Sequence, residues 1–304
     1  MNAITKPAPK SKLKAVAPKA AAPSKPKILV FGKPGVGKTW AAVTWPTPYF
    51  IDTEGGANLP HYTDRLEKAG GVYFGPDQGS LDFETVIGQV QALATEEHPY
   101  RTLVIDSISK MFQTAITLEA ERLGDKNAFG ADKKQAISLM RRLIAWLNRL
   151  DMNVILIAHE MAEWGLNNKG QREQIGATFD AWDRTAYELH LCLHILKEGN
   201  SRYAQVRKTR LLGFPDNERF PWTYEEFAGR YGRDVMENAA VSIQLAATAD
   251  VAEIERLLTV VKMPDGWTEK MLTKAQAATF AEMSVDHASK VLELLNDKLK
   301  GVEV

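Results

Sequence analysis

Apolar and polar positions follow two different patterns along the chain. Continuous apolar runs predict buried strands at Ile28–Phe31, Tyr49–Asp52, Thr102–Asp106 and Asn153–Ala158. Between these runs, apolar residues recur at every third or fourth position and predict amphipathic helices, with the clearest stripes in 83–93, 108–118 and 137–147 and a shorter helix at Lys38–Trp45. Because strand and helix keep alternating, the pattern predicts an α/β fold with a mainly parallel central sheet covered on both faces.

The pattern changes after residue 158. A polar loop is predicted at 159–177, and two strands with strict alternation, Tyr187–Leu196 and Tyr203–Leu212, are predicted to turn at Gly199 and Asn200. Thr223 and Glu226 have the spacing of a helix capping box.

The last part of the chain predicts a small helical appendage. Two apolar stripes, within 251–261 and 288–299, are separated by the chain-breaking residues 264–266. The predicted domains are therefore an arm at 1–26, an α/β core at 27–238, and a linker with a helical module at 239–304.

Composition adds a charge asymmetry to this picture. The chain has 304 residues, with 45% hydrophobic and 25% charged, which is typical of soluble globular proteins. Its 38 basic and 38 acidic residues cancel, yet residues 1–27 carry seven lysines and no acid. This Lys/Ala/Pro-rich segment predicts a disordered basic arm, which is either a solubilising tail or an electrostatic contact to phosphates.

Cysteine and targeting signals point to a cytoplasmic protein. Cys192 is the only cysteine, so an intramolecular disulfide is excluded. No apolar run is long enough for a membrane span, and the N-terminus lacks the apolar region of a secretory signal, so no membrane partner is expected. His190, Cys192 and His194 alternate along one strand, but three ligands on one strand rarely converge on a metal ion.

The strongest motif in the chain is a phosphate-binding loop. Residues 32–39, GKPGVGKT, match G-x-x-x-x-G-K-[ST] between a predicted strand and a predicted helix. In this motif Lys38 reaches the β- and γ-phosphates and the Thr39 hydroxyl binds Mg²⁺, so ATP and Mg²⁺ are the expected cofactors. The predicted nucleotide-binding residues are Gly32, Lys33, Pro34, Gly35, Val36, Gly37, Lys38, Thr39 and Trp40.

Polar residues follow the other predicted strands. Asp106 ends an apolar strand and predicts a carboxylate for the Mg²⁺ shell beside Thr39. Glu54, in the segment FIDTEGG, is the candidate general base, with loop capping by Asp52 or Glu54 as the alternative. His159 follows the strand at 153–158 and is a candidate contact for the γ-phosphate or the attacking water; the alternative is a histidine that only satisfies a strand end.

In this order, GKPGVGKT, FIDTEGG, LVIDS and ILIAHE, followed by a hairpin ending in VRKTRL, resemble the RecA-type P-loop ATPase core. The resemblance covers about residues 27–215 and is greatest to the phage-encoded RecA-like proteins of the single-strand annealing (Sak) group. It implies that Glu54 activates water. It also implies that Lys208 and Arg210 act in trans, reaching a neighbouring subunit's γ-phosphate.

Two loops of that family hold single-stranded DNA. Here they correspond to about 122–134 and 160–177. Cations beside aromatic and amide side chains suit sequence-tolerant binding by phosphate contact and base stacking. The DNA-binding residues that the resemblance implies are Arg122, Lys126, Phe129, Lys133, Lys134, Trp164, Asn168, Lys169 and Arg172.

These features together predict an ATP-hydrolysing, single-stranded-DNA-binding recombination or annealing protein. It would assemble with itself as a ring or filament with ATP at the subunit interfaces, in a host cytoplasm if phage-encoded, and would meet other phage or host recombination and replication proteins. One alternative is an ATP-gated scaffold that recruits partners through its C-terminal helices. The other is a P-loop kinase acting on a small molecule.

Overall fold

The strand that precedes the phosphate-binding loop lies near the middle of the sheet. The computed structural model describes residues 24–301, in which nine strands form one sheet with the order β3-β2-β4-β5-β1-β7-β8-β9 and with β6 paired to β5. The strands are β1 (Lys27–Gly32), β2 (Pro48–Asp52), β3 (Val72–Phe74), β4 (Thr102–Asp106), β5 (Asn153–Leu166), β6 (Arg172–Phe179), β7 (Leu191–Glu198), β8 (Ser201–Thr209) and β9 (Arg219–Pro221). Strands β1 to β5 and β7 are parallel where they pair, while β6, β8 and β9 pair antiparallel, so the α/β prediction is confirmed.

Helices cover both faces of this sheet. They are α1 (Lys38–Ala42), α2 (Pro60–Lys68), α3 (Phe83–Thr95), α4 (Ile108–Leu123), α5 (Ala131–Arg149), α6 (Thr185–Glu188), α7 (Tyr224–Tyr231), α8 (Arg233–Glu237), α9 (Thr248–Val260), α10 (Trp267–Ala275) and α11 (Val285–Leu299). Several begin at a side-chain cap; Thr223 accepts from the Glu226 amide, as the capping-box spacing predicts. Within residues 24–301, none of these helices combines the length and the apolar content that a membrane crossing requires.

The core consists of two apolar layers, one on each side of the sheet. Along β1, Leu29 and Phe31 belong to the layer under α3, α4 and α5, whereas Ile28 and Val30 belong to the opposite layer. This alternation explains why the central strands have continuous apolar sequences, because both of their faces are buried.

The parallel arrangement brings the predicted site residues to one edge. Gly32 is in register with His159 across β1 and β5, and Asp52 is in register with Asp106 across β2 and β4. The carboxyl ends of these strands therefore meet at the place where ligands bind in open α/β sheets.

The polar segment at 159–177 is a β-hairpin rather than the predicted loop. Strand β5 continues past Ala158 to Leu166, and β6 returns antiparallel to it with a register shift between Glu163 and Trp164. The prediction was wrong because the apolar run ends at Ala158, whereas backbone pairing between β5 and β6 continues without a buried face.

Smaller differences between the predicted and the observed elements concern short helices and strands. Helix α1 ends at Ala42, three residues before the predicted end, and Tyr187 lies in the one-turn helix α6 rather than on a strand. Helix α2 and strand β3 were not predicted, since Leu66 is the only fully buried residue of α2 and β3 has three residues.

The last residues of the predicted basic arm are buried. Residues 1–23 lie outside the described part of the chain, but Lys25 and Lys27 are each only 4% exposed. The Lys25 ammonium donates to the carbonyl of Asn238, and the Pro26 carbonyl accepts from the Val154 amide. The last residues of the predicted arm thus belong to the folded core.

The C-terminal helices enclose their own apolar cluster. Its buried members include Ile254 and Leu257 of α9 and Leu295 of α11. Glu282 joins this part to the core, since its backbone carbonyl accepts from Arg149 at 2.7 Å and its carboxylate lies 3.9 Å from Arg142. The division of the chain at residue 238 stays a prediction.

Candidate active site

The phosphate-binding loop connects β1 to α1 through glycines that no other residue can replace easily. Gly35 and Gly37 have φ values of 75° and 93°, in the left-handed region that disfavours side chains. A Cβ at Gly37 would also overlap the side chain of Arg202 from β8. The local backbone is therefore fixed by the same glycines that define the motif.

Lys38 lies over this loop. Its Nζ donates to the carbonyls of Gly32 at 2.7 Å and Lys33 at 3.0 Å. Burial lowers the pKa of Lys38, while the neighbouring Asp106 and Glu54 carboxylates raise it. The ammonium faces a cavity of about 560 Å³, whose lining includes Gly32, Pro34, Gly35, Lys38, Thr39, Asp52, Glu54, Tyr62, Asp106, His159 and Glu160.

Thr39 and Asp106 form a pair of oxygen ligands at the base of the cavity. The Thr39 hydroxyl donates to Asp106 Oδ2 at 2.5 Å. Burial raises the pKa of Asp106 to about 6, with a smaller opposing effect from the Thr39 hydrogen bond. A hard divalent cation would stabilise this buried carboxylate, so the donor set fits Mg²⁺.

Glu54, Ser107 and His159 meet at the opposite wall of the cavity. Glu54 Oε1 accepts from the Ser107 hydroxyl and lies 2.6 Å from His159 Nε2, which is itself 3.3 Å from Ser107 Oγ. An ionised carboxylate only accepts, so against it His159 Nε2 would be the donor in this contact. Glu54 Oε2 has no hydrogen-bond partner among residues 24–301 and is left for a ligand or water.

Three residues of this edge were not predicted to take part. Ser107 caps helix α4 and also contacts Glu54, and Tyr62 and Glu160 line the cavity. Ser107 follows Asp106 directly, so its position beside the site could have been deduced; the contact with Glu54 depends on the β2–β4 pairing and could not.

Glu160 has a buried partner. Its Oε2 lies 2.9 Å from His194 Nε2, and the His194 ring stacks on Phe31 with centroids 4.6 Å apart. His190 accepts from the backbone amide of Lys27. Two members of the His190–Cys192–His194 alternation are therefore engaged in separate contacts.

The Trp40 ring packs against helix α2. The Arg65 guanidinium lies 3.8 Å from the ring centroid, and Tyr62 packs against the same ring, so the side chain connects α1 with α2. Its contact with a nucleotide stays a prediction. Val36 is buried in the core, while Lys33 is exposed.

Lys208 and Arg210 lie at the edge of the sheet opposite the cavity. Lys208 pairs with Cys192, which pairs with Leu29 near the start of β1. The Lys208 ammonium donates to the carbonyl of Leu189, and burial lowers its pKa to about 8. Arg210 donates to the carbonyl of Tyr187. Neither side chain can reach the cavity of its own subunit.

The predicted DNA-binding residues lie on two exposed segments. On the segment that runs from the end of α4 to the start of α5, Phe129 is fully exposed and Arg122 forms an ion pair with Glu119 at 2.6 Å. On the β5–β6 hairpin, Trp164 is 51% exposed and the Arg172 guanidinium lies 5.0 Å from its ring centroid. The remaining candidates, Lys126, Lys133, Lys134, Asn168 and Lys169, are exposed on the same two segments.

The family model described as an AAA domain matches residues 24–209, which is more than half of the chain. The chain belongs to the AAA-domain family. Its AAA domain spans β1 to β8 with the whole phosphate-binding edge, so this protein is a P-loop NTPase. The C-terminal helices lie outside the match.

Two further comparisons add little to the AAA-domain assignment. No curated protein matches the chain significantly. Among solved structures, the chain is similar to an ATPase from the type III secretion system of pathogenic bacteria, with 13% identity over 88% of this chain and 81% of that one and a TM-score of 0.35. That likeness is too loose to support any statement about substrate or assembly.

Proposed function

We propose that this AAA-domain protein hydrolyses ATP and uses the reaction in the binding and annealing or recombination of single-stranded DNA, as an oligomer or filament. The observation that carries the proposal is the contact between Glu54 and His159. It joins the candidate base directly to the first residue of the exposed β5–β6 hairpin, so one hydrogen bond connects the nucleotide cavity with the candidate DNA-binding element.

The hydrolytic step uses groups already in place. Lys38 would exchange its loop carbonyls for the β- and γ-phosphates, and Thr39 with Asp106 would hold Mg²⁺, which neutralises phosphate charge when bound. Glu54 Oε2 would accept a hydrogen bond from the attacking water and orient it. Because Ser107 and His159 both engage Oε1, the carboxylate has little freedom to rotate away.

The hairpin has the composition expected of a surface for single strands. Trp164 offers an aromatic face, and Arg172 beside it offers a guanidinium for phosphate or base contact. Lys169 lies near the hairpin turn. Stacking tolerates any base, which suits a protein that must pair strands of unrelated sequence.

The position of Lys208 and Arg210 supports the proposed assembly. Both lie at the edge of the sheet that faces away from their own cavity. A head-to-tail arrangement of subunits would bring that edge to a neighbour's cavity, and such heterologous contacts close into rings or continue as filaments. Lys208 and Arg210 would then release their carbonyl partners on assembly.

The proposal is tested by measuring the ATPase rate against protein concentration, with and without single-stranded DNA. The rate per subunit should rise with both, because DNA and neighbours complete the site. Trp164→Ala should weaken single-stranded DNA binding by about tenfold, the effect expected for one lost stacking contact. Leu212→Ala is the matched control, since Leu212 is fully exposed and lies outside the hairpin.

Two results would contradict the proposal. One is an ATPase rate that ignores both DNA and protein concentration. The other is equal DNA affinity for Trp164→Ala, Arg172→Ala and Leu212→Ala. Electron microscopy with a non-hydrolysable ATP analogue would distinguish a ring from a filament, and a single turnover with retained partner proteins would favour the scaffold alternative.

A further inference from the structure

Asp52 is a buried acid that the hydrolytic mechanism above does not use. It is 2% exposed and accepts four hydrogen bonds. Oδ1 accepts from the backbone amides of Glu54 at 3.0 Å and Gly55 at 2.8 Å. Oδ2 accepts from the amide of Ala57 at 2.7 Å and from the Tyr73 hydroxyl at 2.9 Å.

Burying a carboxylate is costly unless donors replace its water. Here three of the four donors are amides of the segment 54–57, so this stretch of chain is wrapped around one carboxyl group. Gly55 permits the wrapping with a φ of 74°. The direction in which the Glu54 side chain leaves the backbone is therefore set by Asp52.

Tyr73 supplies the fourth donor from a different strand. It lies on β3 in register with Phe50 of β2, and the two rings stack with centroids 6.5 Å apart. Burial, together with the hydrogen bond to Asp52, raises the pKa of Tyr73, so the phenol keeps its proton and remains a donor. The Asp52 carboxylate is thus held by the loop at both oxygens and by the sheet at Oδ2.

Thr53 ties the same turn to the neighbouring strand end. Its amide donates to the Asp106 carbonyl at 2.7 Å, and its hydroxyl exchanges hydrogen bonds with the backbone of Ser107 at 2.8 and 2.9 Å. With Thr53 anchored to β4 and Asp52 anchored to β3, Glu54 is carried on a turn fixed from two sides.

We propose that Asp52 and Tyr73 are positioning residues for Glu54, holding the turn 54–57 so that the Glu54 carboxylate meets Ser107 and His159 and presents Oε2 to the attacking water. The inference rests on the proposed hydrolytic function and deepens it. Neither residue touches ATP in this role; both act through the placement of Glu54.

The central test is Tyr73→Phe, which removes one hydroxyl and keeps the ring. The kcat for ATP hydrolysis should fall about tenfold, since small displacements of a catalytic group cost at least this much, while KM for ATP and the affinity for a non-hydrolysable analogue should not change. Asp52→Asn should have a larger effect in the same direction.

Tyr49→Phe is the matched control. Tyr49 lies on β2, and its hydroxyl donates to Gln89 Oε1 at 2.5 Å, away from the cavity. This substitution removes an equivalent half-buried hydroxyl, so it should lower the thermal midpoint to a similar extent and leave kcat unchanged. A general loss of stability would instead lower activity in both variants.

A double-mutant comparison separates the possible failures. If Tyr73 acts through Glu54, adding Tyr73→Phe to Glu54→Gln should not slow the residual reaction further. Unchanged kcat in Tyr73→Phe, with hydrolysis abolished by Glu54→Gln, would overturn the positioning role alone. Unchanged turnover in Glu54→Gln would overturn the base assignment and the positioning role together. If Asp52→Asn does not fold, Tyr73→Phe with its control still decides.

Discussion

Polar side chains are hydrogen-bonded differently at the two edges of the central sheet. The parallel strands β1, β4 and β5 begin at one of them, the amino edge, and the carboxyl edge lies at their opposite ends. At the amino edge, buried side-chain donors find acceptors inside the fold, whereas the Asn153 Oδ1 acceptor has no partner among residues 24–301. The Lys27 ammonium donates to the carbonyls of Leu150 and Met152, both at 2.5 Å. The Asn153 amide donates to the carbonyls of Arg101 at 3.0 Å and Met236 at 2.9 Å.

At the carboxyl edge, hydrogen-bonding capacity is left beside a cavity. The only partners of the Lys38 ammonium among residues 24–301 are carbonyls of its own loop, and Glu54 uses one of its two oxygens. Donors that are hydrogen-bonded inside the fold stabilise it, whereas groups that keep unused hydrogen-bonding capacity beside a cavity can bind a ligand. The difference predicts that substitutions at the carboxyl edge reduce activity and those at the amino edge reduce stability.

The largest effect should come from Lys38→Ala. Loss of the ammonium should lower ATP hydrolysis by about 10²–10³-fold, the usual cost of removing one charge-stabilising donor. The free energy of unfolding should change by less than about 1 kcal/mol, because the Lys33 carbonyl is exposed and the Gly32 carbonyl borders the cavity, where water can replace the ammonium. Steady-state kinetics measures the ATPase rate, and denaturant unfolding measures the free energy of unfolding. A destabilised but active Lys38→Ala variant would contradict the proposed difference between the two edges.

Asn153→Ala should show the reverse behaviour. The substitution leaves the buried Met236 carbonyl without this donor and removes one of the two donors to the Arg101 carbonyl, so the free energy of unfolding should fall by about 1–3 kcal/mol. The ATPase rate per folded molecule should stay the same. Asn148→Ala, at an exposed position of α5, is the control and should change neither quantity.

A smaller effect should appear in the pH dependence of stability. Burial lowers the pKa of Lys27 to about 7, whereas the unfolded chain keeps this lysine protonated to beyond pH 10. The folded state therefore binds fewer protons above pH 7, and stability should rise by about 1 kcal/mol between pH 7 and pH 8. The change is measured by urea unfolding at the two pH values.

The Lys27→Met variant should lose most of that rise, since the group that titrates has been removed. Lys68→Met changes an exposed lysine and should keep it. If the rise survives in Lys27→Met, the buried lysine does not titrate in this range and the view of the amino edge as internally satisfied needs revision.

Local signals explain what the sequence could predict of the fold. The phosphate-binding loop, β4 and the turn at Gly199 and Asn200 follow from short motifs and apolar runs, and the structure has them at the predicted places. The β5–β6 hairpin could not be predicted from periodicity, because most of its residues are exposed on both faces. The burial of Lys25 could not be predicted either, because a lysine at the end of a Lys/Ala/Pro-rich segment is expected to belong to a solvated tail.

In the candidate site, too, local sequence patterns predict the positions of single residues but not the contacts between them. The common location of Thr39, Asp106, Glu54 and His159 at one edge could be predicted, because each lies in a motif or at the end of an apolar run, while their roles stay predictions. The contacts between them depend on the pairing of β2, β4 and β5, which no local pattern specifies. Asp52 is the clearest example. The sequence leaves a loop-capping role open for this residue, and the structure shows its carboxylate accepting hydrogen bonds from amides of the loop 54–57.

The length of β5 has a mechanical consequence. One strand runs from the buried core through His159 to Leu166, so seven residues extend beyond the neighbouring strands β1 and β4 and span about 23 Å at the usual rise per residue. A paired ribbon of that length would convert a small tilt at the nucleotide cavity into a larger displacement of its tip. A tilt of about 10° at His159 would carry the tip through about 4 Å, which is more than the rise of one residue along a strand.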